Sequence, residues 1–121
     1  MTILIVEDQL EVLDCLRSYT TQGGHRVFTA STADEAINWL SRVQPDLAFI
    51  DLLLPRGHGR QVIQEVAKRR LPTRLVVITA CDDLTLRQEL ISYGVAQSDY
   101  LFKPVTIRDL EQLLKPASSI S

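Results

Sequence analysis

The stretch LAFIDLLLPRGHG, residues 47–59, decides the fold. Its opening residues are apolar without alternation, which suits a strand covered on both faces, as in a parallel sheet. A single carboxylate, Asp51, interrupts the run, and turn-forming residues follow closely. An isolated ionised carboxylate is costly to remove from water unless something pairs with it. Asp51 therefore either emerges at a strand end or meets a partner from elsewhere in the chain.

Working outward, the same texture recurs in TILIV (2–6), HRVFTA (25–30), DLAFI (46–50), RLVVIT (74–79) and DYLF (99–102). Helical spacing lies between and after them. Ala33, Ala36, Ile37 and Leu40 make one stripe, with Ser31 or Thr32 as its cap. Val62, Ile63, Val66 and Ala67 make another. Leu13, Leu16 and Thr20 make a third, ended by Gly23 and Gly24. Leu86, Leu90 and Ile91 form a less regular fourth. Ile107, Leu110, Leu113 and Leu114 form the fifth, opened by a capping box of Thr106 and Asp109. Strict β-α alternation predicts one α/β domain, a doubly wound five-stranded parallel sheet flanked by five helices. The stretch KPASSIS (115–121) reads as a tail or the start of a linker.

Bulk properties narrow the function. At 121 residues, 45% hydrophobic and 23% charged, the chain is long enough for one real core. A net charge of −2 gives no electrostatic reason for nucleic-acid or anionic-membrane binding. No apolar run approaches the roughly 20 residues of a membrane span. No basic leader with a small-residue cleavage site follows Met1. Cys15 and Cys81 have no disulfide-framework or metal-ligand spacing, so free thiols in a reducing cytoplasm are expected.

In an open α/β sheet the ligand crevice lies at the carboxyl ends of the strands. Glu7 and Asp8 follow the first predicted strand, Asp51 the third, Ala80 follows Thr79 at the end of the fourth, and Lys103 lies just past the fifth. Individually, these residues have plain roles as a helix cap, a strand-end hydroxyl and a turn. Together they place three acids, a hydroxyl and an ammonium at one edge. Crowded carboxylates repel, and Lys103 supplies only one positive charge. A divalent metal is implied, and a sparse all-oxygen donor set favours Mg²⁺. That set suits phosphoryl transfer with Asp51 as nucleophile, forming an aspartyl-phosphate.

These residues resemble the receiver domain of two-component response regulators, over essentially the whole chain (domain 1–115, tail 116–121). The resemblance rests on ILIVED (3–8), DLLLP (51–55) with Gly59, TA (79–80) and DYLFKP (99–104). It implies a flavodoxin-like, CheY-like strand order of 2-1-3-4-5. It makes Glu7 and Asp8 the acidic pair for Mg²⁺, with Asp8 the more direct ligand. Asp51 is then the phospho-acceptor, and the Leu53 backbone carbonyl a further metal ligand. Thr79 and the Ala80 amide bind the phosphoryl group and Lys103 pairs with it, beside a cis peptide at Pro104. Tyr100 is the aromatic that swings inward as Thr79 moves.

The implied partner is a sensor histidine kinase or a histidine phosphotransfer protein. An output domain beyond residue 121 and a homodimer through helix 4, strand 5 and helix 5 also fit the resemblance.

The chain departs from the family pattern in places. Leu54 stands for the usual Met, and Val105 for a common aromatic. His58 replaces Asp or Asn before Gly59, which predicts a weaker cap on the third helix. GVAQSDYLFKP (94–104) is two residues longer between Gly94 and Lys103 than usual, which bears on partner choice. Cys81 near the site reads as a small space-filling residue before a redox handle.

Other classes fit less well. An aspartyl-phosphate hydrolase commonly carries a second Asp where this chain has Leu53. A flavodoxin-like cofactor binder needs a Ser/Thr/Gly-rich loop after the first strand, and none is there. A phosphorylation-independent interaction module on the same fold remains the main alternative.

Overall fold

The structure is a computed structural model and describes residues 1–114; the tail expected over 116–121 lies outside the described residues. The strands are β1 (Thr2–Val6), β2 (Arg26–Ala30), β3 (Leu47–Asp51), β4 (Arg74–Thr79) and β5 (Tyr100–Phe102). The helices are α1 (Leu10–Gln22), α2 (Ala33–Val43), α3 (Gly59–Lys68), α4 (Leu84–Ser92) and α5 (Ile107–Leu113). All strand pairs are parallel, in the order β2-β1-β3-β4-β5.

Side chains alternate across a strand, so a run buried on both faces feeds two cores. Leu4, Val6, Ala48, Ile50 and Val77 pack with Ala36, Leu40, Ile63, Val66 and Leu90 beneath α2, α3 and α4. Ile3, Ile5, Phe49, Val76 and Ile78 pack with Leu16 and Leu110 beneath α1 and α5. This double burial is why the strands read as continuous hydrophobic runs.

Edge strand β2 is less buried, and its outer backbone needs cover. The Trp39 indole donates to the Thr29 carbonyl at 3.0 Å, and its ring lies 4.8 Å from that of Phe28.

Thr32 caps α2 by accepting from the Glu35 amide, and Thr106 and Asp109 form the expected capping box on α5. Helix α3 has its cap despite the unusual residue. His58 Nδ1 accepts from the Arg60 amide at 3.0 Å, and the His58 amide donates to Gln61 Oε1 at 2.8 Å. His58 thus closes a capping box, a neutral imidazole nitrogen supplying the acceptor that Asp or Asn ordinarily would.

This arrangement titrates. Burial first, then Arg60, holds the His58 imidazole below its ordinary value, with Glu89 opposing. The folded protein then binds fewer protons at His58 than the unfolded chain does. The cap's stability is complete above about pH 6.5 and is lost as pH falls below that, through the folded value. His58→Asn caps without titrating. Wild type is expected to lose urea resistance relative to H58N between about pH 7.5 and about pH 5.5. Parallel urea midpoints for the two proteins across that range would remove His58 from the account.

The longer segment before β5 is fastened at the amino edge of the sheet. Val95 is buried, and the Asp99 amide closes a turn onto the Ala96 carbonyl at 3.0 Å. The Asp99 carboxylate accepts from Arg74 at 2.7 and 3.0 Å, a two-pronged pair joining the starts of β4 and β5. The extra length therefore ends on the edge opposite Asp51.

Candidate functional site

The parallel order brings the ends of β1, β3, β4 and β5 to one edge. There the chain emerges from the core, so charged side chains reach water while their backbones stay fixed. Carboxylate oxygens of Glu7, Asp8 and Asp51 lie within 4.8 Å of one another. Glu7 and Asp51 are buried, and Asp8 is exposed.

Glu7 has two duties. Its Oε2 accepts from the amides of Asp8 at 3.0 Å and Gln9 at 3.2 Å, closing the start of α1. The plain capping role therefore holds alongside a place in the cluster. Its Oε1 lies 3.0 Å from Lys103 Nζ, an ion contact lacking hydrogen-bond alignment. Burial, then the adjacent Asp51 carboxylate, pushes the Glu7 carboxyl above its ordinary range, with Lys103 pulling the other way.

Asp51 ends β3. Its Oδ1 accepts from the Leu53 amide at 3.2 Å, and its Oδ2 accepts from Lys103 Nζ at 3.2 Å. Lys103 comes from the end of β5, before a cis bond to Pro104 as expected. Its ammonium also donates to Gln9 Oε1 at 2.6 Å. Burial lowers the Lys103 pKa, but its acidic partners Glu7 and Asp51 outweigh that and raise it.

Gly59 lets α3 start directly against the end of β3. A Cβ there would collide with the Asp51 carbonyl oxygen and lie 2.9 Å from Leu52 Cα. The Gly59 amide donates to the Leu52 carbonyl at 2.9 Å. The Leu53 side chain stands 65% exposed at the mouth of the site.

Thr79 ends β4, buried, but its hydroxyl faces the following loop. It donates to the Cys81 carbonyl at 2.9 Å and accepts from the Cys81 amide at 3.1 Å. Ala80 and Cys81 are exposed. Tyr100 is buried, and its ring already packs inward. Its hydroxyl donates to the Arg87 carbonyl at 3.3 Å, and the Arg87 guanidinium lies 4.7 Å above the ring.

Sequence reading missed Gln9 and Arg87. The available signal for Gln9 was a residue type seldom used at a helix N-cap. Arg87 had none, because its contact depends on how α4 lies against β5.

One ammonium, paired with two of three clustered carboxylates, leaves an oxygen-only donor set that is short of positive charge. Glu7 Oε1 is buried without an aligned donor. This arrangement fits a hard divalent cation. A carboxylate beside such a charge, with an ammonium 3.2 Å away, is equipped to accept an electrophilic phosphorus.

Among the described residues, no helix is long and apolar enough to cross a membrane. The chain is 32% identical over 121 residues to the Positive alginate biosynthesis regulatory protein of Pseudomonas aeruginosa, covering 98% of this chain and 47% of that protein. It spans about half the length of the first curated relatives it matches. The receiver domain protein (CheY-like) of Methanospirillum hungatei superposes with a TM-score of 0.85 at 28% identity, covering 94% of this chain and 90% of that one. The non-phosphorylated HemR receiver domain of Leptospira biflexa gives 0.82 at 27% identity, covering 95% and 94%. The family model for the response regulator receiver domain matches residues 3–115. The chain belongs to that family, a signalling module of two-component systems rather than a turnover enzyme.

Proposed function

We propose that this chain is a phosphorylation-operated switch whose acceptor is Asp51, working in the cytoplasm. The supporting observation is the convergence of Glu7, Asp8, Asp51 and Lys103 at the carboxyl edge of the sheet. An Asp51 carboxylate oxygen attacks the phosphorus of a phospho-histidine on a sensor kinase or phosphotransfer protein. The P–N bond breaks, and its electron pair returns to the imidazole. Mg²⁺ held by Glu7, Asp8, Asp51 and the Leu53 carbonyl would offset the charge of the incoming phosphoryl oxygens. Lys103, already facing Asp51, pairs with one of those oxygens.

The new group carries roughly two negative charges. It offers Thr79 a stronger acceptor than the Cys81 carbonyl, and the Ala80 amide turns with it. Breaking the Thr79–Cys81 turn shifts the loop before α4, whose Arg87 sits over Tyr100. Phosphorylation thereby reshapes the α4-β5-α5 face and favours one packing of Tyr100. Turning such a switch from mostly off to mostly on takes about 5.5 kcal/mol. Two or three charge-assisted hydrogen bonds, each about 1.5–3 kcal/mol, are of that size. The output partner, whether a domain beyond residue 121, a second copy docked through that face or a separate protein, would read the reshaped surface.

Intact-mass measurement after incubation with acetyl phosphate and Mg²⁺ tests the reading. One added phosphoryl group is expected, and none with EDTA. If acetyl phosphate gives no gain and beryllofluoride also leaves the amide spectrum around Tyr100 unchanged, the chain is a phosphorylation-independent docking module.

The exposed Leu53 side chain offers no hydrogen bond to a water approaching phosphorylated Asp51 in line. Leu53→Asn is expected to speed loss of the phosphoryl group roughly threefold to tenfold. An already fast wild-type loss, unchanged by L53N, would remove Leu53 from that role.

A further inference from the structure

Gln9 occupies the N-cap position of α1, where a side chain ordinarily accepts from the first amides of the helix. It makes no such bond. Glu7 Oε2 takes the Asp8 and Gln9 amides instead, and the Gln9 carboxamide turns across the site to Lys103 at 2.6 Å. Two elements 94 residues apart in sequence are joined there, the start of α1 and the end of β5.

A lysine ammonium is a compact charge on a flexible stem with three N–H donors. Three acceptors surround this one. Gln9 Oε1 lies at 2.6 Å, Glu7 Oε1 at 3.0 Å and Asp51 Oδ2 at 3.2 Å, and the side chain is only 14% exposed. They stand just before α1, just after β1 and at the end of β3, so the ammonium sits on a tripod of oxygens, two hydrogen-bonded and one, from Glu7, an ion contact. With Gln9 accepting one N–H and Glu7 drawing the charge without an aligned hydrogen bond, a second N–H is directed at Asp51. Gln9 is also the only neutral leg. It orients the ammonium without adding another negative charge to a cluster that already holds three.

We propose that Gln9 is a positioning residue for phosphorylation, aiming the Lys103 ammonium at the oxygen of Asp51 that reacts. This rests on the reading of Asp51 as phospho-acceptor. Without the Gln9 oxygen, one N–H turns to water and the flexible stem regains rotamers, so the ammonium spends less time facing Asp51.

The test compares wild type with Gln9→Met, close in length and shape but without the acceptor, and Gln9→Glu, which restores an acceptor. Two readouts are used. The first is the separation of the two Lys103 ε-methylene proton signals by NMR, without any phosphodonor. A held side chain keeps them distinct. The second is the maximal rate of phosphorylation by acetyl phosphate at saturating Mg²⁺. In Q9M the ε-methylene signals are expected to merge and the maximal rate to fall roughly threefold to tenfold. Q9E is expected to keep the signals apart. Mg²⁺ affinity, followed by Trp39 and tyrosine fluorescence, should change less than twofold in Q9M.

Distinct ε-methylene signals in Q9M, or a wild-type rate in Q9M, would overturn the proposal. Merged signals in Q9E, which keeps an acceptor, would also overturn it, as would a rate loss in Q9M that tracks weakened Mg²⁺ binding. Should wild type itself take up no phosphoryl group, the phospho-acceptor reading fails. The NMR comparison would still report whether Gln9 holds Lys103.

Discussion

Asp51→Asn is expected to take up no phosphoryl group from acetyl phosphate, a loss of more than about a hundredfold that drops below detection by intact mass. An amide oxygen is a far poorer nucleophile than a carboxylate, and the substitution removes one of the three charges that fit a divalent cation. The change is otherwise small. An Asn carbonyl oxygen can still accept from the Leu53 amide, as Asp51 Oδ1 does at 3.2 Å, and the side-chain volume barely alters. The variant should therefore fold, and its amide spectrum should match wild type beyond the site. That separates lost chemistry from lost structure. Uptake of a full phosphoryl equivalent by D51N would move the acceptor elsewhere, with Glu7 and Asp8 the next residues to test.

Gly59→Ala is expected to destabilise the fold by about 3 kcal/mol, at the upper end for overpacking a core, and to impair phosphorylation in the molecules that remain folded. The added methyl would meet the Asp51 carbonyl oxygen, with Leu52 Cα and Ile50 Cγ2 each at 2.9 Å. The first two are backbone atoms and cannot swing aside as the end of a flexible side chain would. Either α3 retreats, costing the Gly59–Leu52 hydrogen bond and part of the packing of Val62 and Ile63, or the end of β3 shifts and takes Asp51 with it. Urea unfolding measures the first effect. The phosphorylation rate of the folded fraction measures the second. A wild-type urea midpoint would show that the helix start has slack, and Gly59 would then be unimportant for placing Asp51.

Much of this was legible along the chain. Continuous apolar runs such as ILIV and LAFI marked strands buried on both faces, and the 3.6-residue stripes between them marked helices. Alternation of the two determined the layered parallel architecture. The identities of Glu7, Asp8, Asp51, Thr79 and Lys103 followed from reading what stands at each strand end. These features are local, carried by periodicity and residue type within a few neighbours.

Partner choice was not legible, because it is decided by atoms brought together from distant segments. The Thr79 hydroxyl turns to Cys81 in its own loop, a partner that its position at the strand end did not reveal. His58 caps α3 because its imidazole meets the Arg60 amide at 3.0 Å, an outcome that residue statistics disfavour. The longer segment before β5 is fastened through Asp99 to Arg74, and Gln9 leaves its own helix for Lys103. The sequence by itself determined which elements form, their parallel layering and which reactive groups reach the edge. Only the tertiary structure decided which donor meets which acceptor, because a hydrogen bond depends on tenths of an ångström set by strand order, register and helix packing, and none of those is encoded within a short window.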